Sequence, residues 1–399
     1  MKHILHVSGT FKDDGSTYST LQLHKYLNKN GYISSIAYLS SNKNGNIYHL
    51  NNSIKSKIKF FFLNKFNSLL IRIFKKDHNF AFFNNFIESG LEEIIDKINP
   101  DIIHFHWMPR TININKISIL KKKLIWTIRD FWAFTGGCNV PVNCSKFKTQ
   151  CFNCPHLVGN YKKDLSYHNF LNKKKLYKQI KDMTITFPCS DFKQLQQKSI
   201  LKVFKKSKII PNAIDDVKSK YIQKKTSKKF FTILFGAQNL DQTWKGTDII
   251  IQLIKKMENQ NIKFIIFGKT EKFLKQFVAY KNVNYIGYIG SRKKLRKIFS
   301  NSDLFIFPSY YESFGKLIIE SLSCGIPVIA NNAFGAKDII SHKNDGFLVK
   351  NQNLNDYIKG IEFFKNSNKK IIEKNCLHKS QKYTIDLIGK KYTEIYEKL

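Results

Sequence analysis

Short apolar runs alternate with amphipathic segments along the chain. In the first half, residues 4–8, 33–38, 102–106 and 124–128 have the length and composition of buried strands. Residues 17–30, between the first two runs, repeat their leucines with helical spacing. Strands that alternate with helices in this way predict a parallel, doubly wound α/β sheet.

The second half of the sequence repeats this rhythm. Strands are predicted at residues 232–236, 263–268, 303–308 and 327–330, and a helix is predicted at residues 247–257. Glycines end the first two of these strands, and ligands of such sheets bind beyond the carboxyl ends of the strands. The polar, lysine-rich residues 218–229 suit a linker, so the domain boundary is predicted near residues 211–215.

Length and charge narrow the class of protein. The 399 residues are too many for one compact core and predict two domains. The net charge of +38 indicates an anionic partner, but only five of the 67 basic residues are arginines. Arginine is the usual base-reading residue, so this composition argues against sequence-specific nucleic-acid binding. Without an apolar run of about 20 residues or a signal peptide, the expected compartment is the cytoplasm.

Residues 308–327 read PSYYESFGKLIIESLSCGIP, a strand followed by a loop and an amphipathic helix. A helix beginning near Phe314 would turn free backbone N–H groups toward the loop, which suits a diphosphate. Glu312 and Glu320 could accept paired hydrogen bonds from sugar hydroxyls. The alternative is that Glu312 is a surface cap and Glu320 a solvated helix residue. For an isolated pair of acids this alternative would be preferred, because the spacing is common by chance. The residues that flank Glu312 and Glu320 disfavour it here.

This segment resembles the donor-binding signature of glycosyltransferase family 4. That resemblance implies the GT-B fold, in which two Rossmann-like doubly wound domains face each other across a cleft. It also implies that Glu312 contacts the donor sugar as a catalytic residue and that Glu320 binds the ribose. The loop and first helical turn would meet the diphosphate and sugar through Ser313, Phe314, Gly315, Lys316 and Leu317.

Four further residues, in two segments, follow from the same resemblance. Lys245 and Gly246 look like the "KG" element, whose lysine binds the donor phosphates. Residues 127–132 read TIRDFW, where the family often has His before Asp. Arg129 and Asp130 are therefore predicted catalytic residues, although an arginine cannot act as a base at neutral pH.

Two weaker signals lie in the first half of the chain. Gly15 and Ser16 occupy the position of the family's Gly-rich loop after the first strand and are predicted to approach the donor. His104 and His106 alternate on one strand and face the same side. A buried histidine pair and a substrate-binding pair are equally good interpretations of these two residues.

Four cysteines lie close together as C-x5-C-x6-C-x2-C, at Cys138, Cys144, Cys151 and Cys154. In a cytosolic chain, four nearby thiolates favour a structural zinc site over disulfides, with unligated thiols as the alternative. The surrounding residues resemble a subgroup of family 4 enzymes linked to colanic acid and other exopolysaccharides. Catalysis in this fold needs no metal, so zinc would be structural only.

Residues 54–76 form a basic amphipathic segment without any acid. Ile58, Phe62, Phe66, Leu69 and Ile73 fall on one helical stripe. This pattern suits a helix in an anionic membrane interface. The alternative is an ordinary helix packed on the first domain. Because the family often acts on lipid-linked acceptors, membrane contact is preferred.

Together these features predict an acceptor domain at residues 1–210, with residues 383–399 packing back on it, and a nucleotide-sugar domain at residues 211–382. The predicted reaction is retaining transfer from a UDP- or GDP-sugar to a glycan or lipid-linked acceptor of a capsule, exopolysaccharide or O-antigen. The enzyme would lie at the inner face of the plasma membrane and bind no nucleic acid. The alternatives are a nucleotide-sugar epimerase of the same fold and a non-catalytic basic membrane-binding protein.

Overall fold

The computed structural model describes residues 1–9, 15–39, 47–76, 81–159, 161–180, 182–214, 230–350 and 353–399, with the backbone alone at residues 15 and 16. The loop before Gly15 and the predicted linker at residues 218–229 lie outside these ranges. The chain forms two compact units. The first unit contains Met1–Ala213 and Ile385–Leu399, and the second contains Ile214–Thr384.

The first unit is built on a parallel sheet of seven strands in the order β3-β2-β1-β4-β5-β6-β7. Its strands are β1 (His3–Ser8), β2 (Ile33–Tyr38), β3 (Ile47–His49), β4 (Ile102–Phe105), β5 (Lys123–Thr127), β6 (Met183–Phe187) and β7 (Ser207–Ile209). Its helices are α1 (Gly15–Lys29), α2 (Ile54–Phe74), α3 (Leu91–Ile98), α4 (Leu165–Gln179), α5 (Ser190–Gln197) and α13 (Ile385–Glu397).

The apolar runs of this unit become central strands because both faces of the sheet are covered. One core cluster joins Ile4 of β1 and Ile125 of β5 to Leu23 and Leu27 of α1. The last helix, α13, contributes Tyr392 and other residues to the same cluster. The C-terminal residues are therefore part of the first unit's core.

The second unit is built on a six-stranded parallel sheet in the order β10-β9-β8-β11-β12-β13. Its strands are β8 (Phe231–Asn239), β9 (Ile262–Lys269), β10 (Val283–Tyr285), β11 (Leu304–Phe307), β12 (Val328–Asn331) and β13 (Gly346–Val349). Its helices are α6 (Thr247–Lys256), α7 (Leu274–Ala279), α8 (Arg292–Ser300), α9 (Lys316–Leu322), α10 (Phe334–Ile339), α11 (Leu354–Lys365) and α12 (Lys369–Gln381).

Two parallel-sheet, Rossmann-like units confirm the predicted fold class. One correction concerns the helix predicted to begin near Phe314, which begins at Lys316 with Gly315 as its N-cap. Phe314 is instead a buried residue whose ring lies 5.9 Å from that of Tyr383. None of the helices in the described ranges combines the length and apolarity that a membrane span requires.

Both sheets reverse their strand order at one point, where ligands of doubly wound sheets bind. In the first unit the reversal lies between β1 and β4, and in the second it lies between β8 and β11. Among the predicted site residues, Lys245 and Gly246 follow β8, and residues 312–315 follow β11.

Candidate functional site

In the second unit, the loops after β8 and β11 are locked together by their backbones. The Tyr310 N–H donates to the carbonyl of Trp244 over 2.8 Å. Gly246 has a φ of 71°, and a Cβ atom there would lie 2.5 Å from the carbonyl oxygen of Pro308. A side chain at this position would therefore both strain the backbone and separate the loops. The glycine allows Lys245 to reach the residues after β11.

Lys245 forms an ion pair with Glu312, with 2.9 Å between Nζ and Oε2. Both side chains are mostly shielded from solvent, at 18% and 25% exposure. A lysine ammonium has three N–H donors, and this contact uses one. A positive group thus stands at the reversal point of the second sheet with donors to spare for an anion.

Glu320, inside α9, is paired with Arg292 at the start of α8, with 2.9 Å between Oε1 and Nη1. Arg292 was not among the predicted site residues. Nothing in the local pattern could have linked it to a carboxylate 28 positions later, because the pairing depends on how α8 packs beside α9. The arginine fixes one oxygen of Glu320.

The other predicted residues after β11 differ in how far their side chains are buried. Gly315 adopts a left-handed conformation with a φ of 87°, which favours glycine. Ser313, Lys316 and Leu317 are half-buried, whereas the side chain of Phe314 belongs to the core. If Phe314 meets a ligand, it does so through its backbone. Asn331, which the sequence analysis missed, braces the loop by donating to the carbonyls of Pro308 and Ser309.

In the first unit, Arg129 ends a hydrogen-bonded chain of buried histidines. Its Nη2 donates to Nδ1 of His106 over 3.1 Å, and Nε2 of His106 lies 2.9 Å from Nδ1 of His6. A guanidinium can only donate, so Nδ1 of His106 accepts. The proton of His106 is then on Nε2 and is donated to His6. Arg129 also donates to Asn212, so its head group is fixed from two sides.

His104 completes this cluster, its ring centroid 3.9 Å from that of His106. Its nitrogens lie 2.7 Å from the hydroxyls of Tyr396 and Thr127. Burial, the largest cause, holds the pKa of all three histidines well below the usual value, and Arg129 lowers each further. Ligand nitrogens of the three lie within 4.8 Å of one another, as in a metal site. The hydrogen bonds and the adjacent guanidinium favour a neutral structural cluster instead.

Asp130 caps the turn Phe131–Ala133, its Oδ1 accepting from the Trp132 N–H over 3.0 Å. Burial raises the pKa of Asp130 to about 7. Nearby, the buried Lys173 donates to the carbonyls of Trp132 and Thr135, and burial lowers the pKa of Lys173 to about 7. This geometry gives Asp130 a capping role, and its predicted catalytic role stays a prediction. Gly15 and Ser16 begin α1, and their side chains are not described.

The four clustered cysteines line one small cavity, together with His156. Its volume of about 20 Å³ is room for a single water-sized body. Burial, the largest cause, raises the pKa of Cys151 to about 12, and the Gly136 N–H, which donates to its Sγ over 3.2 Å, offsets only part of this rise. Among the described residues, however, the histidines and not the cysteines bring three ligand atoms within 4.8 Å of one another. The zinc site stays a prediction, and binding would have to draw the sulfurs inward.

If zinc binds there, the purified protein should carry one equivalent of the metal. Cys154→Ser should lose most of it, because a three-thiolate site holds zinc more weakly. Elemental analysis of both proteins, purified without added metal, measures the difference. The matched control is Ser145→Ala, which alters the same loop but no thiol. A zinc-free wild-type protein whose melting temperature is unchanged by a chelator would show that the thiols are unligated.

Comparison with known proteins adds to this geometry. Residues 217–379 match the family model described as Glycosyl transferases group 1. The chain is 26% identical over 306 residues to the putative colanic acid biosynthesis glycosyl transferase WcaC of Escherichia coli (strain K12), covering 72% of each chain. It is 22% identical over 194 residues to the N,N'-diacetylbacillosaminyl-diphospho-undecaprenol alpha-1,3-N-acetylgalactosaminyltransferase of Campylobacter jejuni. This second match covers 43% of the chain and 52% of that relative.

A solved structure extends the similarity to the whole fold. Anabaena Alr3699/HepE, crystallised in complex with UDP and glucose, superposes over 100% of both chains with a TM-score of 0.65 at 15% identity. The two parallel sheets agree with the fold of the solved structure, and the matched family model and the relatives indicate the same class of enzyme. The chain is therefore a glycosyltransferase with the GT-B fold.

Proposed function

We propose that this enzyme transfers a sugar from a UDP- or GDP-linked donor to a growing, lipid-linked cell-surface polysaccharide, with retention of anomeric configuration. The observation that carries the proposal is the pair of acid–base contacts at the reversal point of the second sheet, Lys245 with Glu312 and Arg292 with Glu320. A nucleotide sugar combines a diphosphate with hydroxyl groups. Those two contacts offer a cation for the first and carboxylates for the second.

In this proposal the second unit, about residues 211–382, holds the donor. Lys245 and the backbone around Gly246 meet the diphosphate, aided by the amides of the loop after β11 (Ser313, Phe314, Gly315, Lys316 and Leu317). Glu312 contacts the transferred sugar and Glu320 the ribose. Lys245 would exchange its contact with Glu312 for one with the diphosphate, which frees that carboxylate for the sugar.

The first unit, about residues 1–210 with residues 383–399, binds the acceptor in this proposal. Arg129 supplies a fixed cation, because His106 and Asn212 hold its head group. Arg129 remains protonated at neutral pH and so orients a hydroxyl or a phosphate rather than accepting a proton. Gly15 and Ser16 would approach the donor through their backbone N–H groups. The acceptor class is supported by two relatives, one named for colanic acid biosynthesis and one for a diphospho-undecaprenol acceptor.

Donor binding tests this proposal directly. A nucleotide sugar that binds only the folded protein raises its melting temperature, so a panel of UDP- and GDP-sugars should contain one that does. Replacing Glu320 by alanine should then raise the Kd of that donor about ten- to a hundredfold, because charge-assisted hydrogen bonds to the ribose are lost. Isothermal titration calorimetry measures the change.

The matched control for this experiment is Glu362→Ala. Glu362 is a half-exposed acid of α11 paired with Lys365, so its loss removes a similar surface contact at a distance from the loops. Its donor affinity should equal that of the wild type. Unchanged affinity in Glu320→Ala would refute the ribose assignment, and no response to any nucleotide sugar would refute the donor site.

A further inference from the structure

Helix α2 has apolar residues on two faces, and only one of them packs on the protein. The inner face contains the buried Ser56 and Asn67 and several half-buried apolar residues. The outer face contains large apolar side chains that are each more than half exposed, with Phe62 at 65%. These side chains are Ile54, Ile58, Phe61, Phe62, Phe66, Leu69 and Ile73.

Specific polar contacts hold the helix in this orientation. Asn84 donates to Oδ1 of the buried Asn67 over 2.8 Å, and Lys59 pairs with Glu88. Ser53 caps the first turn by accepting from the Ser56 N–H. Rotating α2 to bury its outer stripe would break the buried amide pair, which is costly. The outward stripe is therefore a fixed feature of the fold.

A row of exposed phenylalanines and isoleucines is unusual on a monomer, because proteins rarely leave more than a few hundred Å² of contiguous apolar surface in water. Spacings of four and three residues from Ile58 to Ile73 keep the stripe straight along the helix. Packing of this stripe on the first unit was the alternative to membrane contact. Within the described residues, more than half of each side chain is exposed, so most of the stripe does not pack on that unit, although the ring of Phe66 lies 5.9 Å from that of Phe86.

The charges around the stripe are all of one sign. Residues 54–76 contain seven basic residues and no acid. At about 100° per residue, Lys65 and Arg72 project on one side of the stripe. Lys59 projects on the other side, where it is paired with Glu88, so Lys65 and Arg72 are the cations offered to lipid phosphates. Long basic side chains at such positions can keep their charges in water while their stems cover apolar surface. The ammonium of Lys65 lies over the ring of Phe61, with 4.5 Å between Nζ and the ring centre, which is a cation–π contact at the edge of the stripe.

We propose that the outer face of α2 is a docking surface for an anionic lipid bilayer. The stripe enters the boundary between head groups and acyl chains, and the flanking cations contact the lipid phosphates. A bilayer surface offers apolar depth and negative charge together, as this face requires. A second copy of the chain fits poorly, because pairing two such faces would bring like charges together. The purpose of docking rests on the lipid-linked acceptor proposed above, but the binding itself requires no sugar transfer.

Vesicle flotation of the full chain tests this surface. The protein should bind vesicles of phosphatidylcholine mixed with phosphatidylglycerol, bind phosphatidylcholine alone far less, and detach as salt is raised. The double variant Phe62→Ser/Phe66→Ser should reduce partitioning into the mixed vesicles about tenfold or more, because two large apolar groups no longer enter the bilayer. Lys65→Gln/Arg72→Gln should reduce it by about tenfold as well.

The matched control is Ile119→Ser, since Ile119 is an equally exposed isoleucine of the first unit outside α2. It should bind vesicles like the wild type. Binding that is equal for neutral and anionic vesicles, or unchanged in the Phe62→Ser/Phe66→Ser variant, would overturn the proposal. So would a concentration-dependent dimer that this variant abolishes. Melting-temperature shifts with nucleotide sugar in the same variants report separately on the donor site.

Discussion

Replacing Lys245 by alanine should lower kcat for sugar transfer about a hundred- to a thousandfold. In the proposed reaction, the diphosphate leaves with growing negative charge as the bond to the sugar breaks. Lys245 is positioned for this charge at the reversal point of the second sheet, where it is paired with Glu312. Charge that develops in the transition state is stabilised there more than charge already present in the bound donor. We therefore expect kcat to fall more than donor affinity.

The assay is acceptor-dependent release of nucleotide from the donor that the binding screen identifies. Lys245→Arg keeps the charge and should retain much more activity than Lys245→Ala. The matched control is Lys272→Ala, which removes an exposed lysine of the same unit and should leave kcat unchanged. Because Lys245→Ala leaves the mostly shielded Glu312 without this partner, the melting temperature should fall, and kcat is measured at a temperature well below it. Wild-type turnover by Lys245→Ala would remove this residue from the mechanism.

The fold could be predicted from the sequence because most central strands and helices are each encoded by a short, contiguous pattern of apolar residues. Each central strand is a short apolar run between helices, so β1, β2, β4 and β5 were predicted within a residue or two of their ends. The strands β3, β7 and β10 were not predicted, because three residues carry no periodicity that separates a strand from a loop. The longer strands β6 and β13 were missed as well.

The candidate site was predictable only where its residues are close in sequence. Glu312 and Glu320 lie on one strand–loop–helix segment, so a single pattern contains both. Lys245 was included because of the family resemblance rather than its spacing, and its contact with Glu312, 67 positions away, was not predicted. Arg292 had no such support and was missed. His6 was missed although parallel register pairs it with His104, a relation that appears only when strand order is known.

Helix α2 shows a different limit. Its periodicity predicted a helix with one apolar stripe, but apolar residues stand on two faces. The choice of the packed face depends on Asn84 and Glu88, which contact the helix from later in the chain. Sequence periodicity can identify such a helix, whereas its tertiary partners decide which face meets water.

The first unit should lose stability steeply as the pH falls below about 6.5. Burial holds the pKa of His6, His104 and His106 well below the usual value and lowers that of His24 to about 4. Above about pH 6.5, these groups are neutral in both states and the full stability is present. At lower pH the histidines of the unfolded chain bind protons, whereas those of the folded chain stay neutral. The free energy of unfolding therefore decreases.

One buried acid opposes this trend. The pKa of Asp130 is raised to about 7, so the folded chain holds a proton there that an unfolded aspartate releases down to its usual pKa of 3.8. Lys173, with a pKa of about 7, is protonated in both states at lower pH and contributes little. Burial also lowers the pKa of the half-buried His3. The other four histidines alone, against one aspartate, leave a net uptake of about three protons on unfolding. The limiting slope is then roughly 4 kcal/mol of unfolding free energy per pH unit.

Urea unfolding between about pH 7 and 5 measures this slope. Of the four tryptophans, Trp107, Trp126 and Trp132 lie in the first unit, so a Trp244→Phe background makes the fluorescence report on that unit alone. Replacing His106 by asparagine should reduce the slope by about one proton, or roughly 1.4 kcal/mol per pH unit. His378→Asn, an exposed histidine of α12, should leave it unchanged. Arg129 donates to His106 directly, so this histidine should stay neutral in the folded state. If the slope does not change in His106→Asn, the cluster accepts protons in the folded protein. The donor–acceptor chain from Arg129 through His106 to His6 would then be wrong.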